Sequence, residues 1–381
     1  MWTSFALAAV LSLSPALAAA QSSAPEKPLF VEKSHEVHAD GSVTFRLASR
    51  NAHNVLLLMD TLKQPLPLTN DGNGLWSVTT PALQPQIYNY SFLVDGVHTA
   101  DTRNAQVHRS FADIESLVTV PGTPAQPWEQ NTLPHGALTL ERFTTHVALN
   151  LPDQQSEYVV YTPAGYDAKK KGGYPVLYLL HGYLDSATAW TEVGRAQNVL
   201  DTMIANKQCL PMVVVMPLGY GDWSFLTGGF SNWNDPAKVD ANVNLFEQSL
   251  ETEVMPAVEK SYNIASGREH HAISGLSMGG LETLRIGLTH ADQFAYVAGM
   301  SSAIHNESFD QHYGSIDPKK ANLKLLWVGV GVDDHLLKPN RDFVAWAKAR
   351  GFNVQAVETP GAHQWPVWRE NLVTILPLLF R

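Results

Sequence analysis

Ser277 sits in Gly275-Leu-Ser-Met-Gly-Gly280, with a glycine two residues to either side of the hydroxyl. A serine hydroxyl is a weak nucleophile and needs an imidazole to take its proton, with a carboxylate to orient the ring and stabilise its charged form. Glycines are common here, 26 in 381 residues, so the spacing alone is a weak signal. Context strengthens it. The apolar run His271-Ala-Ile-Ser274 reads as a strand before the serine, and helical spacing begins near Leu281, which predicts a tight strand-to-helix turn that lifts the hydroxyl clear of a sheet. Of the histidines that follow, His363 alone lies in a glycine-containing loop after a late apolar segment, in Pro360-Gly-Ala-His-Gln-Trp365. Asp333 and Asp334 both follow the run Leu325 to Val330 directly, so either can supply the acid. His181-Gly182-Tyr183 follows another such run, and its Tyr183 amide pairs with the Met278 amide as a two-donor cradle for an oxyanion.

These groups need a scaffold that brings several strand ends together. Apolar runs at Pro175–Leu180, Met212–Met216, His271–Ser274, Phe294–Ala298 and Leu325–Val330 read as strands buried on both faces. Helical spacing at Trp190–Asn206, Asn242–Lys260, Leu281–Thr289 and Asn340–Arg350 alternates with them. The pattern predicts an α/β domain over 135–381, with a mostly parallel sheet covered by helices on both faces and a site at the strands' carboxyl ends. Residues 28–119 have a period of two instead, as in Val43, Phe45, Leu47 and in Tyr88, Tyr90, Phe92, Val94. With turn signals at Asp40-Gly41, Asn70–Gly74 and Asp95-Gly96, they predict a small all-β, immunoglobulin-like sandwich. Residues 120–134, with three prolines between Pro121 and Pro127, predict a semi-rigid connector.

Composition bounds the function. Hydrophobic residues are 45% and charged residues 16%, which excludes wholesale disorder. Lys and Arg total 26 against 36 Asp and Glu, a net charge of -10, with no basic cluster beyond Lys169-Lys-Lys171, so no nucleic-acid partner is expected. The single cysteine, Cys209, excludes an intramolecular disulfide. No cofactor is implied, and no His or carboxylate spacing forms a metal-ligand set. Met1–Ala20 is uncharged, carries an apolar stretch and runs through Pro15-Ala-Leu-Ala-Ala-Ala20 into polar residues. This predicts a signal peptide cleaved after Ala18 or Ala20 and a periplasmic or secreted protein, with no later segment apolar over the roughly 20 residues that span a bilayer.

Taken together, His181-Gly182-Tyr183, Gly275–Gly280, Gly331-Val-Asp-Asp334 and Pro360–Trp365 resemble the esterase D-like branch of the α/β hydrolases, which includes the feruloyl and acetyl xylan esterases of carbohydrate esterase family one. The resemblance covers about Pro134 to Arg381. It implies an α/β-hydrolase fold and an acyl-enzyme mechanism, and its G-x-x-D motif, aligned on Gly331, favours Asp334 over Asp333. In front, Asp71-Gly-Asn-Gly-Leu-Trp76, Tyr88-Asn-Tyr90 and Val94-Asp-Gly96 are similar to the early-set sandwich of carbohydrate-binding module family 48. The implied function is hydrolysis of feruloyl or acetyl esters on xylan or its oligosaccharides, with Trp190, Trp233 and Trp365 as candidate substrate contacts and Gly219–Trp233 as a loop rimming the site. The alternatives are an enterochelin-esterase-like siderophore hydrolase, an acyl transferase of the mycolyl type, and a glycan-binding protein with an inactive hydrolase fold. The acyl group and the oligomeric state stay open.

Overall fold

The computed structural model describes residues 33–130, 132–305 and 308–381. The expected signal segment, residues 1–20, lies outside them. Among the described residues no helix is long and apolar enough to cross a membrane.

Alternation of apolar and polar residues places one face of each front strand inward. His35–Val37, Val43–Ala48, Leu75–Thr79 and Thr69–Asn70 form a four-stranded antiparallel sheet. A second antiparallel sheet has Gln86–Val94 between Val55–Met59 and Ile114–Val120, with Val107–Arg109 at its edge. Val43, Phe45, Val55, Leu57, Tyr90 and Phe92 fill the space between the sheets. The proline-containing segment that follows is packed rather than free. Trp128 is buried in the core of the second region, and Asn198 donates to the Glu129 carbonyl at 3.2 Å.

The second region is built on eight strands, β1 (Ala137–Thr144), β2 (Gln155–Thr162), β3 (Val176–Leu180), β4 (Val213–Pro217), β5 (His271–Leu276), β6 (Tyr296–Met300), β7 (Leu325–Gly331) and β8 (Val354–Thr359). Their order is β1-β2-β4-β3-β5-β6-β7-β8; β2 runs antiparallel to both neighbours and the rest are parallel. Every residue of β3 to β7 is buried, as unbroken apolar runs require when helices cover both faces. The register aligns Leu180 with Gly275 and Leu276 with Met300, so the loops leaving β3, β5 and β6 emerge side by side.

The helices expected at Leu281 and Asn340 start three residues earlier, at Met278 and Leu337, and two others differ more. Trp190–Asn206 is two pieces, Ala189–Glu192 and Ala196–Ala205, because Arg195 takes φ +52° and Gly194 lies so close to Trp190 that a Cβ would meet its carbonyl at 2.6 Å. Asn242–Lys260 starts earlier, at Pro236, where Asp235 caps the helix by accepting from Ala237 N–H at 3.1 Å, and it passes through a π-helical turn at Leu250–Val254 before ending at Ser261.

Candidate active site

The turn between β5 and the helix Met278–Thr289 holds Ser277 at φ +55°, ψ -112°, a strained backbone for a residue with a side chain. Both flanking glycines are sterically required. A Cβ on Gly275 would meet the Gly279 carbonyl oxygen at 2.4 Å, and one on Gly279 would meet that of His181 at 2.5 Å. The turn is tied to its neighbours by Ser277 N–H to the Met300 carbonyl, 2.9 Å, and Ala303 N–H to the Ser277 carbonyl, 2.9 Å.

His363 arrives on the loop after β8. Its Nε2 lies 2.9 Å from Ser277 Oγ, and its Nδ1 lies 2.9 and 3.1 Å from the two carboxylate oxygens of Asp334. Asp334 is buried and also accepts from the Leu336 amide at 2.8 Å, whereas Asp333 is exposed and its amide donates to the Gly361 carbonyl. Burial alone would raise the Asp334 pKa; the hydrogen bond and charge of His363, then the Leu336 amide, outweigh it and hold the carboxyl below its ordinary value. The acid therefore stays ionised beside the ring, as an orienting carboxylate must. The acid loop and the base loop are held together, since a Cβ on Gly331 would meet the Gly361 carbonyl at 2.5 Å.

The loop leaving β3 lies against the serine: a Cβ on Gly182 would come within 3.3 Å of Ser277 Cβ. Among the described residues the Tyr183 amide donates to no backbone carbonyl. Met278 opens its helix, where an amide has no acceptor within the helix. His181 is buried, with Nδ1 2.8 Å from the Gly182 carbonyl and Nε2 accepting from Gly219 N–H at 2.9 Å. Burial holds its pKa below the ordinary value, so it is a neutral strut and not a second base.

The three candidate tryptophans separate. Trp190 is fully buried, donates Nε1–H to the Leu180 carbonyl at 3.0 Å and meets Trp365 edge-on at 5.1 Å. Trp365 is also buried, between Trp190, Trp368 and His108. Both are core residues: the substrate contact expected of them is corrected, because packing occupies their faces. Trp233 is buried too, edge-on to Tyr183 at 5.6 Å, but it lines a pocket with Arg285, His305 and Ala303, whose amide donates to the Ser277 carbonyl. Gly219–Trp233 contains a short helix, Trp223–Thr227, capped by Asp222, and ends in the 3-10 turn Phe230–Asn234. Phe230 is exposed against Tyr183 at 5.2 Å.

Sequence reasoning missed the groups that support His363. Trp368 packs edge-on to it at 4.9 Å and donates Nε1–H to Ser301 Oγ at 3.1 Å; His335 packs against it at 4.7 Å. The ligand-set reading also changes. Asp334, His335 and His363, and separately Glu247, Glu251 and His290, each come close enough to share an ion. The second cluster brings Glu247 and Glu251, one turn apart on the helix that starts at Pro236, to His290 at the end of the helix Met278–Thr289, a meeting that sequence spacing does not display. In both, the imidazole is already hydrogen-bonded to carboxylate.

A serine on a strained strand-to-helix turn, facing an imidazole and a buried carboxylate at neighbouring strand ends, is the arrangement of the α/β hydrolases. The Esterase family model matches residues 150–379, and the chain belongs to that family. A protein of Xylanibacter ruminicola described as endo-1,4-beta-xylanase/feruloyl esterase is 28% identical over 354 residues, 91% of this chain and 46% of the relative. Endo-1,4-beta-xylanase Y of Acetivibrio thermocellus is 32% identical over 174 residues, 43% of this chain and 14% of the relative, so the chain spans less than half the length of both. Among solved structures, a ferulic acid esterase from the anaerobic fungus Anaeromyces mucronatus is similar with a TM-score of 0.56 and 22% identity, covering 66% of this chain and 93% of its own. An enterobactin esterase from Shigella flexneri has a TM-score of 0.65 and 15% identity, covering 88% and 92%. Both share the fold.

Proposed function

We propose that the protein is a serine carboxylic-ester hydrolase that removes feruloyl or acetyl groups from xylan or its oligosaccharides. One observation carries the reading, the hydrogen-bond chain from Asp334 through His363 to Ser277 Oγ. In this reading His363 Nε2 takes the Ser277 proton as Oγ attacks the ester carbonyl, and the Tyr183 and Met278 amides hold the oxygen that becomes anionic. Collapse breaks the ester bond to the alcohol, which leaves with the proton from His363. A water then gives a proton to His363 and attacks the acyl-enzyme, and Ser277 recovers its proton as the acid departs.

The xylan ester is supported by the Xylanibacter ruminicola relative, whose alignment runs through both regions of this chain. The front sheets fit a module of the carbohydrate-binding family 48 type, and Met1–Ala20 fits an export signal that delivers the enzyme to a polysaccharide outside the cytoplasm. A second reading, hydrolysis of a catecholate siderophore ester, is favoured by the enterobactin esterase structure, which matches across 88% of the chain.

The test compares p-nitrophenyl acetate hydrolysis by the protein and by Ser277→Ala. A loss of at least about 1,000-fold is expected, since removing a triad nucleophile costs that much or more. Activity surviving in the variant would overturn the mechanism, and no activity in either protein would leave the glycan-binding alternative. Rates on methyl ferulate, acetylated xylan and enterobactin then decide the substrate, and a preference for enterobactin would overturn the xylan reading.

A further inference from the structure

The Tyr183 amide belongs to a tight turn closed by Asp185 N–H to the Gly182 carbonyl at 3.2 Å. Its third residue, Leu184, is held at φ +70°, a left-handed conformation that a leucine keeps only when its surroundings impose it. Two contacts from the front region reach this turn. His108, on the edge strand Val107–Arg109, places Nε2 2.7 Å from Asp185 Oδ1, and both side chains are buried. Phe111 N–H donates to the Leu184 carbonyl at 2.7 Å, and Arg109 N–H to Glu192 Oε2 at 2.8 Å on the next helix. Burial alone would lower the His108 pKa, but the hydrogen bond to Asp185 and the charge of Glu115, whose Oε2 lies 3.9 Å from Nδ1, raise it to about 10, which favours the charged ring against the Asp185 carboxylate. Charge-assisted bonds of this kind are short and directional.

We propose that His108 is a positioning residue for the oxyanion hole: from the front sheets it holds Asp185 and thereby fixes the turn that aims the Tyr183 amide at the reacting carbonyl. The proposal rests on the ester-hydrolase reading. An amide that acts only on the developing anion contributes to turnover and little to ground-state binding. A displacement of about 1 Å suffices to cost up to about 100-fold in rate.

The full chain carrying His108→Asn is compared with His108→Gln. A glutamine amide reaches the position of the imidazole Nε2; an asparagine falls one methylene short, while both bury the same polar group. With p-nitrophenyl acetate, which carries no sugar for the front sheets to bind, His108→Asn is expected to lose about 10- to 100-fold in kcat with KM within about threefold, and His108→Gln to stay within about threefold in both. Equal kcat in the two variants, or a loss confined to KM, overturns the proposal. Asp185→Ala against Asp185→Asn makes the same contrast from the other side of the bond and decides the matter if a His108 variant does not fold. Ser277→Ala in the same assay separates the failures: if it stays active, the ester-hydrolase reading falls, whereas equal His108 variants beside an inactive Ser277→Ala overturn the positioning role alone.

Discussion

Asp333 and Asp334 are neighbours in sequence and opposites in circumstance. Asp334 is buried with both oxygens on His363, while Asp333 faces solvent. Asp334→Asn preserves the shape and an acceptor for the Leu336 amide but removes the charge that stabilises the imidazolium and fixes the tautomer. Loss of that charge in a serine triad costs on the order of 10,000-fold in kcat. Asp334→Asn is therefore expected to lose at least about 1,000-fold on p-nitrophenyl acetate and Asp333→Asn less than about threefold; the reverse ranking would move the acid to Asp333. At this scale much was legible in the chain. The G-x-S-x-G turn, the late histidine loop and the tandem aspartates each sit at a strand end that local apolar runs announce. The two tryptophans misjudged as substrate contacts were not legible, because Trp190 and Trp365 reveal their mutual packing only once a 175-residue separation has closed.

The elements set how close those residues come. Leu180 Cβ would lie 2.8 Å from a Cβ on Gly275 and 2.7 Å from one on Gly279, so the turn, β3 and the oxyanion loop meet with no room for a methyl group. Overpacking of this kind costs about 1–3 kcal/mol in stability. Here it also pushes His181 and the loop it begins. Gly279→Ala is expected to lower Tm by several degrees and kcat by more than about 10-fold. Gly165→Ala is the comparison: it has φ +73° but open space around it, so it should lose about 1 kcal/mol and keep full activity. Equal kcat in the two variants would mean that the turn tolerates movement. Strand existence was readable from unbroken apolar runs, and helix ends only in part. The first helix breaks at Gly194 and Arg195, where the glycine, and likewise the Asp235-Pro236 start of the second, was a signal available in the sequence, whereas the left-handed turn at Arg195 was not.

Across the whole molecule, the two regions are joined by buried polar contacts rather than by a tether. Arg369, on the helix that follows His363, is fully buried and donates to Gln86 Oε1 at 2.9 Å, to the Ile87 carbonyl and to the Val193 carbonyl at 2.6 Å. With His108 on Asp185, the front sheets thus hold elements beside both the base and the oxyanion loop. None of this could be read from the sequence: each bond joins residues 77 to 283 positions apart, and a lone histidine on a β-strand looks like any surface residue. The junction has a pH signature. Burial works against the His108 charge, but Asp185 and Glu115 outweigh it and raise the folded pKa to about 10, against the ordinary histidine value of 6.5 in the unfolded chain. The folded state therefore binds the extra proton, and the stabilisation is complete below pH 6.5 and is lost as pH rises through about 10. Its size is on the order of a few kcal/mol. His108→Gln lacks the titration, so its Tm should lie several degrees below that of the unchanged protein at pH 6.5 and approach it by pH 10. Melting curves that stay equally separated across that range would show that the histidine is neutral in the folded protein and that the junction is held by its uncharged contacts.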